Sequence, residues 1–214
     1  MKKPLFALAL VATSGLAMTS IAAQGQGQIP GAVDVSRVAA GTYAVDPAHT
    51  QVSWQVSHFG FNDYFGLFGD ITGSMTIDPA NVEAAKFDVT IPISSVAVSS
   101  AGLREHLLRA GKDGAAPDFF GPEPDAARFV STSVRRTSET TAVVSGQLTM
   151  NGKTGPVTML VEFTGAGQNP FNKKETVGFH ARTSIDRTKW GIAYAAPAIG
   201  QTVDLTISAA FEKQ

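Results

Sequence analysis

The stretch QVSWQVSH, residues 51–58, alternates apolar and polar side chains along most of its length. Successive side chains of an extended chain point to opposite faces, so one face carries Val52, Trp54, Val56 and His58. The other face carries only glutamine and serine. A period of two over eight residues is typical of a β-strand with one buried face and one exposed face. This stretch therefore predicts a half-buried strand that needs partners of the same kind.

The same alternation returns along the chain at residues 71–78, 87–93, 144–150, 157–163, 177–186 and 203–212. Residues 43–45 and 129–134 add two shorter candidate strands. Turn signals fall between the strands at Asp78-Pro79, Asn151-Gly152 and Gly165-Ala166-Gly167. Strands joined by short turns pair in an antiparallel manner. The pattern therefore predicts an antiparallel, all-β domain.

The apolar faces of these strands carry no Lys, Arg, Asp or Glu, and several of their positions are small. The small residues are Gly73, Gly146, Ala181 and Ala209. A barrel of about eight strands is just wide enough either to be filled by its side chains or to hold a ligand. Small inward residues favour room for a ligand, although they also occur at tightly packed corners of a sheet. We expect an antiparallel β-barrel of about eight strands.

One segment has helical spacing. SSAGLREHLLRA, residues 99–110, begins with a serine that can cap a helix and places Leu103 and Leu107 four residues apart. We predict one short helix near a barrel end. The charged and titratable residues 104–106 are consecutive, so their side chains point in different directions and cannot meet at one atom. We expect them to form a solvated face or to anchor the helix.

The chain begins with two lysines, an apolar run from Leu5 to Ala12 and small residues up to Ala23. The run is too short for a membrane span of about 20 residues, and this order of segments is typical of a cleavable secretory signal peptide. We assign residues 1–22 to the signal peptide and residues 23–40 to a flexible leader rich in glutamine and glycine. One folded domain is then expected at residues 41–214.

The composition limits the partners and the compartment. The chain has no cysteine, so an exported form has no disulfides and is expected in the periplasm, without an integral membrane span after cleavage. The formal net charge of −1 argues against a nucleic-acid partner. The histidines show neither His-x-His nor His-Glu-x-x-His spacing, so we expect no metal and no cofactor. A homodimer is compatible with the sequence.

A second stretch, SHFGFNDYFGLFGD at residues 57–70, holds five aromatic rings, a histidine and three glycines. One interpretation is a corner where aromatic side chains seal the end of the core. The other is an aromatic entrance that contacts an acyl or prenyl chain. His58, on the apolar face beside this stretch, is open to three roles: a hydrogen-bonded core histidine, a contact for a lipid head group, or a metal ligand.

Several motifs occur together in a recognisable order. They are residues 41–78 with the two stretches above, LREHL at 103–107, DFF at 118–120, SGQLTMNGKTGPVTM at 145–159, IDRTKWGI at 185–192 and VDLTIS at 203–208. Together they resemble the YceI-like family. The resemblance implies a lipocalin-like β-barrel whose long apolar pore binds a polyisoprenoid or a similar lipid, such as an isoprenoid quinone or a fatty acyl compound. The family has no established common catalytic activity, so no enzyme and no catalytic residue is expected.

The chain departs from the family pattern near the predicted barrel mouth. Residues 109–116 are inserted between the helix motif and DFF, and Glu123-Pro124 stands where tyrosine-proline is usual. Asp46 and Arg187 match motif positions of the family, and a structural ion pair or turn cap suits them better than catalysis.

Apolar strand positions and the matched motifs together define a candidate ligand-binding set. The residues expected to line the tunnel and its mouth are Trp54, His58, Phe59, Phe61, Phe68, Phe87, Phe119, Phe120, Phe163, Phe179, Trp190 and Tyr194. Core packing alone also explains the rings on the strands. The prediction is a periplasmic lipid-binding or carrier protein. The alternatives are an interaction module with a fully packed barrel, and an enzyme acting on an apolar substrate through His58 and Thr183.

Overall fold

A computed structural model describes residues 29–214. The predicted signal peptide at residues 1–22 and the first part of the predicted leader lie outside the described residues. Within that range, no helix combines the length and the apolar composition that crossing a membrane requires.

The described chain is mostly β-structure with one α-helix. The elements are β1 (Gly41–Val45), β2 (Gln51–His58), β3 (Asn62–Phe68), β4 (Thr72–Ile77), β5 (Lys86–Ile91), α1 (Ala101–Leu108), β6 (Ala127–Arg136), β7 (Thr141–Met150), β8 (Lys153–Gln168), β9 (Glu175–Asp186) and β10 (Ile199–Lys213). Every pairing between these strands is antiparallel. The predicted all-β class and the short helix are confirmed, and α1 begins after the predicted serine cap at Ser100.

The sheet closes into an eight-stranded barrel. Around the ring β1 pairs with β4, β4 with β5, and β5 to β10 pair in chain order, while β10 returns to β1. The long strand β10 uses one edge for two partners: residues 199–208 pair with β2 and residues 211–213 pair with β1. The hairpin of β2 and β3 therefore extends the barrel wall at one end, which we call the open end. The closed end lies where β10 meets β1.

The predicted alternation matches the two faces of the barrel wall. Buried inward residues come from strands all around the ring: Met75, Val144, Val157, Val177 and Phe211. A closed barrel leaves no unpaired edge within the ring, so each strand can bury one face and hydrate the other. The alternation along each strand therefore gives the barrel a mostly apolar interior.

The turn between β7 and β8 is the one predicted at Asn151-Gly152. Both residues have positive φ, at 50° and 71°, which suits a two-residue hairpin turn. The turn predicted at Gly165-Ala166-Gly167 is wrong, because these residues lie inside β8 at an irregularity of its pairing with β9. Ala166 exchanges two backbone hydrogen bonds with Ala32, at 3.1 and 2.9 Å. The glycines on either side leave space for the approaching leader backbone.

From Ala32 onward the leader makes defined contacts with the barrel. After the contact at Ala32, a short 3₁₀-helix at Val35–Arg37 begins at Asp34, whose carboxylate accepts a hydrogen bond from the Ser36 amide. Val35 and Val38 pack against the barrel core. This part of the leader covers the closed end because its two valines, three residues apart, share one face of the 3₁₀ turn.

Two of the small inward residues reflect tight packing. A side chain at Gly73 would collide with the backbone of Asp88, and one at Gly146 would collide with the ring of Phe129 and the backbone of Val130. The expectation that these glycines leave room for a ligand is wrong. They allow neighbouring strands and rings to approach each other closely at sharply curved parts of the wall.

Candidate ligand-binding cavity

The open half of the barrel encloses one large cavity of about 620 Å³. Its strand walls are apolar, with Val52, Val89, Met159, Leu205 and Ile207 among them. Among the described residues no aspartate or glutamate lines it. A volume of this size lies within the range of roughly 300–1,000 Å³ of typical small-molecule sites. The barrel interior is therefore not fully packed, contrary to the alternative of a packed interaction module.

The hairpin of β2 and β3 forms the aromatic side of the entrance. His58 packs edge-on between Phe59 and Tyr64, with ring centroids 4.3 and 4.9 Å away, and all three line the cavity. Phe59 is also half exposed to solvent. Phe61 lies at the hairpin tip, 89% exposed, and does not line the cavity. The stretch at residues 57–70 thus frames an entrance with three of its five rings, while Phe61 and Phe65 are exposed and do not line the cavity.

Trp54 also lines the cavity, and it lies four residues along β2 from His58 at the entrance. It pairs across the hairpin with Gly66, and a side chain at Gly66 would collide with the indole ring. The glycine therefore lets the large indole lie flat against the hairpin backbone. Phe68, at the end of β3, lines the same wall.

Helix α1 and the DFF motif cover the other side of the entrance. Leu103 and Leu107 of the helix line the cavity together with Phe119 and Phe120. The Phe120 amide donates a hydrogen bond to the Leu107 carbonyl at 3.1 Å, so the motif is tied to the end of the helix. The predicted packing of the helix at a barrel end is confirmed.

Two side chains fix the start and the base of α1. Ser100 accepts a hydrogen bond from the Leu103 amide at 3.2 Å, as expected of an N-cap. Arg104 donates to the carbonyls of Val96 and Ser94 at 3.2 and 3.4 Å, so it anchors the helix to the preceding loop. Of the two roles predicted for residues 104–106, Arg104 takes that of an anchor.

The mouth contains one polar cluster, which the sequence did not bring together. His106 Nε2 lies 2.7 Å from a carboxylate oxygen of Asp118, and Arg109 donates to the same oxygen at 3.0 Å. The His106 ring also contacts Phe119 and Tyr194, with centroids 5.1 and 5.0 Å away. His106 and Tyr194 line the cavity. This cluster joins α1, the DFF motif and the inserted residues 109–116 beside the entrance.

The contacts of Asp118 give the mouth a pH-dependent element. The hydrogen bond with His106, followed by that with Arg109, lowers the pKa of the Asp118 carboxyl below its usual range. A carboxyl group with a lowered folded pKa contributes stability that is present above the unfolded pKa and is lost as the pH falls through the folded pKa. The contribution is therefore complete at neutral pH and disappears in acid, from about pH 4 downward.

We expect Asp118→Asn to lower the unfolding temperature at neutral pH and to approach the native protein in acid. The measurement is thermal unfolding followed by circular dichroism between neutral pH and about pH 3. Asp113→Asn is the matched control, because Asp113 is exposed on the same inserted loop. A difference between Asp118→Asn and the native protein that stays constant over the whole pH range contradicts this account.

Arg187 holds the loop that carries Tyr194 to the mouth beside α1. It is 5% exposed and donates hydrogen bonds of 2.7 to 3.0 Å to four backbone carbonyls, those of Ile192, Tyr194, Ile199 and Gly200. Burial lowers the pKa of its guanidinium, and the nearby charge of Asp186 acts in the opposite sense. The planar fork of arginine can serve several carbonyls at once. Arg187 is therefore a structural residue, although not through an ion pair.

Asp46 and Asp186 are turn caps. Asp46 accepts a hydrogen bond from the Ala48 amide at 3.0 Å, and Asp186 accepts one from the Thr188 amide at 3.0 Å. Hydrogen bonds from the Thr188 hydroxyl and then from the Thr188 amide lower the pKa of Asp186. Of the two roles expected for Asp46, the structure places it as a turn cap, with His49 at 2.6 Å as a further partner.

Four of the candidate ligand-binding residues lie away from the cavity in the barrel interior. They are Phe87, Phe163, Phe179 and Trp190. The three phenylalanines, predicted to line the tunnel, pack together in the closed half and do not line this cavity. Trp190 is buried beneath the β7–β8 turn, where its indole N–H donates to the Leu148 carbonyl at 3.1 Å. Alternation assigns a residue to the inside of a barrel, but it does not assign its depth along the barrel axis.

The structure adds polar residues that the candidate set did not contain. Ser100, His106 and Arg187 line the cavity together with Thr183. The sequence feature that could have indicated His106 is the DFF motif, because its aspartate, Asp118, is the hydrogen-bond partner of His106. No group of three or more metal-ligating side chains comes together within residues 29–214.

The chain has relatives of the same fold among known proteins. The YceI-like domain model matches residues 43–211. A UPF0312 protein of Pseudomonas putida (strain GB-1) is 37% identical over 178 residues, which cover 82% of this chain and 88% of that protein. The crystal structure of Burkholderia cenocepacia BcnA superimposes with a TM-score of 0.63 at 23% identity, over 78% of this chain and 98% of BcnA.

A further solved structure is a polyisoprenoid binding domain from Saccharophagus degradans, implicated in plant cell wall breakdown. It matches with a TM-score of 0.52 at 12% identity, over 80% of this chain and 98% of that domain. At these identities the solved structures confirm the lipocalin-like barrel. Because the domain model covers nearly the whole barrel, this protein belongs to the YceI-like family.

Proposed function

We propose that this protein binds a polyisoprenoid or a similar long-chain apolar lipid in the cavity of its open half and carries it through the periplasm unchanged. The observation that carries the proposal is an apolar cavity of about 620 Å³ that opens at an aromatic entrance. The name of the Saccharophagus degradans domain, a polyisoprenoid binding domain of the same fold, supports this class of ligand.

The energetics of such a site favour a chain-like ligand. Each methylene group that leaves water contributes about 0.8 kcal/mol, so the apolar walls reward a long hydrocarbon chain. Ordering of the chain and loss of its free motion offset part of this gain. The cluster of His106, Asp118 and Arg109 at the mouth supplies donors and charge for a polar head group, while the deeper strand walls are mostly apolar.

We further propose that the protein performs no reaction on its ligand, because the inward hydroxyl groups and the inward guanidinium already have structural partners. The Thr183 hydroxyl donates to the Thr158 carbonyl at 2.8 Å. Ser100 caps α1, and the Arg187 guanidinium is engaged with backbone carbonyls. His58 packs between two rings at the entrance, whereas Thr183 is level with Trp54, four residues away along β2. A bound lipid recovered unmodified after prolonged incubation supports this part of the proposal.

The periplasmic location rests on the sequence of residues 1–22. Two lysines, a short apolar run and small residues form the order of a signal peptide. The absence of cysteine from the whole sequence suits an exported protein that needs no oxidative folding. Intact mass of the protein from a periplasmic fraction tests the location, since the mature chain is expected to begin at Ala23.

Fluorescence of Trp54 tests ligand binding. The chain has two tryptophans, and Trp54 lines the cavity whereas Trp190 lies outside it. We expect titration with a prenyl alcohol or a prenyl quinone to change the emission in a saturable manner. In Trp54→Phe this signal should disappear although equilibrium dialysis still detects the ligand. A native protein that shows neither a saturable change nor a retained ligand contradicts the proposal.

A further inference from the structure

The closed half of the barrel is filled by four phenylalanine rings, which we call the phenylalanine plug. They are Phe87, Phe163, Phe179 and Phe211. Phe179 is central, with ring centroids 6.5 Å from Phe87, 6.1 Å from Phe163 and 6.0 Å from Phe211. All these contacts are edge-on, the arrangement that aromatic rings prefer. The plug is therefore a packed layer across the barrel interior.

The plug lies below the cavity on each strand that contributes a ring. On β8, β9 and β10 the plug residue stands four positions beyond the last cavity-lining residue, which is Met159, Thr183 and Ile207 respectively. On β5 the step from Val89 to Phe87 is two positions. Four residues of a strand span roughly 13 Å. The rings thus form a floor that several strands supply together.

A second, smaller cavity lies on the far side of this floor. Its volume is about 110 Å³, and Phe163 and Phe179 form part of its wall. Val35 and Val38 of the leader line it together with exposed residues at the turn between β6 and β7. The rings of Phe163 and Phe179 therefore lie between the large cavity and this smaller one. Without the central ring, the large cavity could extend toward the leader.

We propose that the phenylalanine plug is a chain-length stop, which limits the apolar ligand to chains that fit the open half. The inference rests on the proposed function and deepens it. A chain that enters at the mouth meets apolar walls until its end reaches the plug. Any further carbons must stay at the mouth, in contact with water, and add no burial.

The size of the gain per carbon makes this stop measurable. Each methylene group that becomes buried strengthens binding by up to about fourfold. Carbons beyond the stop strengthen it by almost nothing. A plot of the logarithm of the dissociation constant against chain length should therefore fall and then become flat. The length at which it becomes flat reports the depth of the cavity.

The experiment measures binding of linear prenyl alcohols of about two to about eight isoprene units, below their self-association concentrations. The native protein should show the break within this series. Phe179→Ala should move the break to longer chains by at least one isoprene unit, because the two cavities then join. Ala209→Leu, in the layer between Ile207 and Phe211, should move it to shorter chains because it raises the floor.

Two controls separate length selection from loss of stability. Val96→Ala removes a buried side chain from the loop before α1 that lines neither cavity, so it should lower stability and leave the break where it is. Phe179→Leu keeps part of the floor and serves if the alanine variant does not fold. A break that is absent from the native protein, or that stays in place in the Phe179 and Ala209 variants, overturns the chain-length stop. A native protein that binds no member of the series overturns the proposed function as well.

Discussion

Arg187→Met is expected to destabilise this protein by about 3 kcal/mol or more. The substitution conserves most of the side-chain length but removes donors to four backbone carbonyls of the mouth loop. Each buried acceptor left without a partner costs about 1–3 kcal/mol, and water entering from the cavity can repair only some of them. Urea denaturation measures the change in the free energy of unfolding.

Two further substitutions separate the role of charge from that of geometry. Arg187→Lys keeps the positive charge but offers no planar fork, so it should recover only part of the lost stability. Lys189→Met removes an exposed charge from the same 3₁₀-helix, Arg187–Trp190, and should stay within about 0.5 kcal/mol of the native protein. An average substitution lowers the free energy of unfolding by about 1 kcal/mol. If Arg187→Met lowers it by no more than that, other contacts hold the loop.

Leu205→Trp is expected to weaken lipid binding strongly while the barrel stays folded. Leu205 stands in the middle of β10, between the cavity-lining residues Val203 and Ile207. An indole at this position projects into the cavity of about 620 Å³ and takes the path of a bound chain. We expect the affinity for a prenyl lipid to fall by at least about tenfold. A change of that size results when about two methylene groups of the ligand are no longer buried.

The control for this variant is Thr206→Trp on the exposed face of the same strand. It carries the same new side chain and should bind as the native protein does. Since the cavity has room for the indole, the free energy of unfolding of Leu205→Trp should change by less than the roughly 1–3 kcal/mol of an overpacked core. Undiminished binding by Leu205→Trp would place the ligand elsewhere on the protein.

The barrel was predictable because alternation is a property of each strand by itself. The inward sets that contain Met75, Val144 and Val177 could be assigned without knowledge of their partners. The turn at Asn151-Gly152 was predictable for a similar reason, because two successive positive φ angles favour these residues. The same logic failed at Gly165, where the glycine serves a long-range contact with Ala32 rather than a local turn.

The site was less predictable because it depends on depth and on distant partners. Trp54 and Phe179 have the same inward alternation, yet one lines the cavity and the other blocks the closed half. Their depth follows from the stagger of strands around the ring, which no single strand records. The contact of His106 with Asp118 joins helix α1 to the loop that follows the inserted residues 109–116. The spacing of residues in the helix does not predict a contact with a residue beyond that insertion.

The direct test of the central claim is mass spectrometry of an organic extract from the purified protein, expressed with its own signal peptide in a Gram-negative host. The account predicts one prenyl lipid, quinone or fatty acyl compound in near-stoichiometric amount from the native protein and from Thr206→Trp, and a loss of it from Leu205→Trp. An extract from the native protein that remains empty under gentle purification, or a lipid retained equally by Leu205→Trp, would contradict the claim that the open half of the barrel is a lipid-binding site.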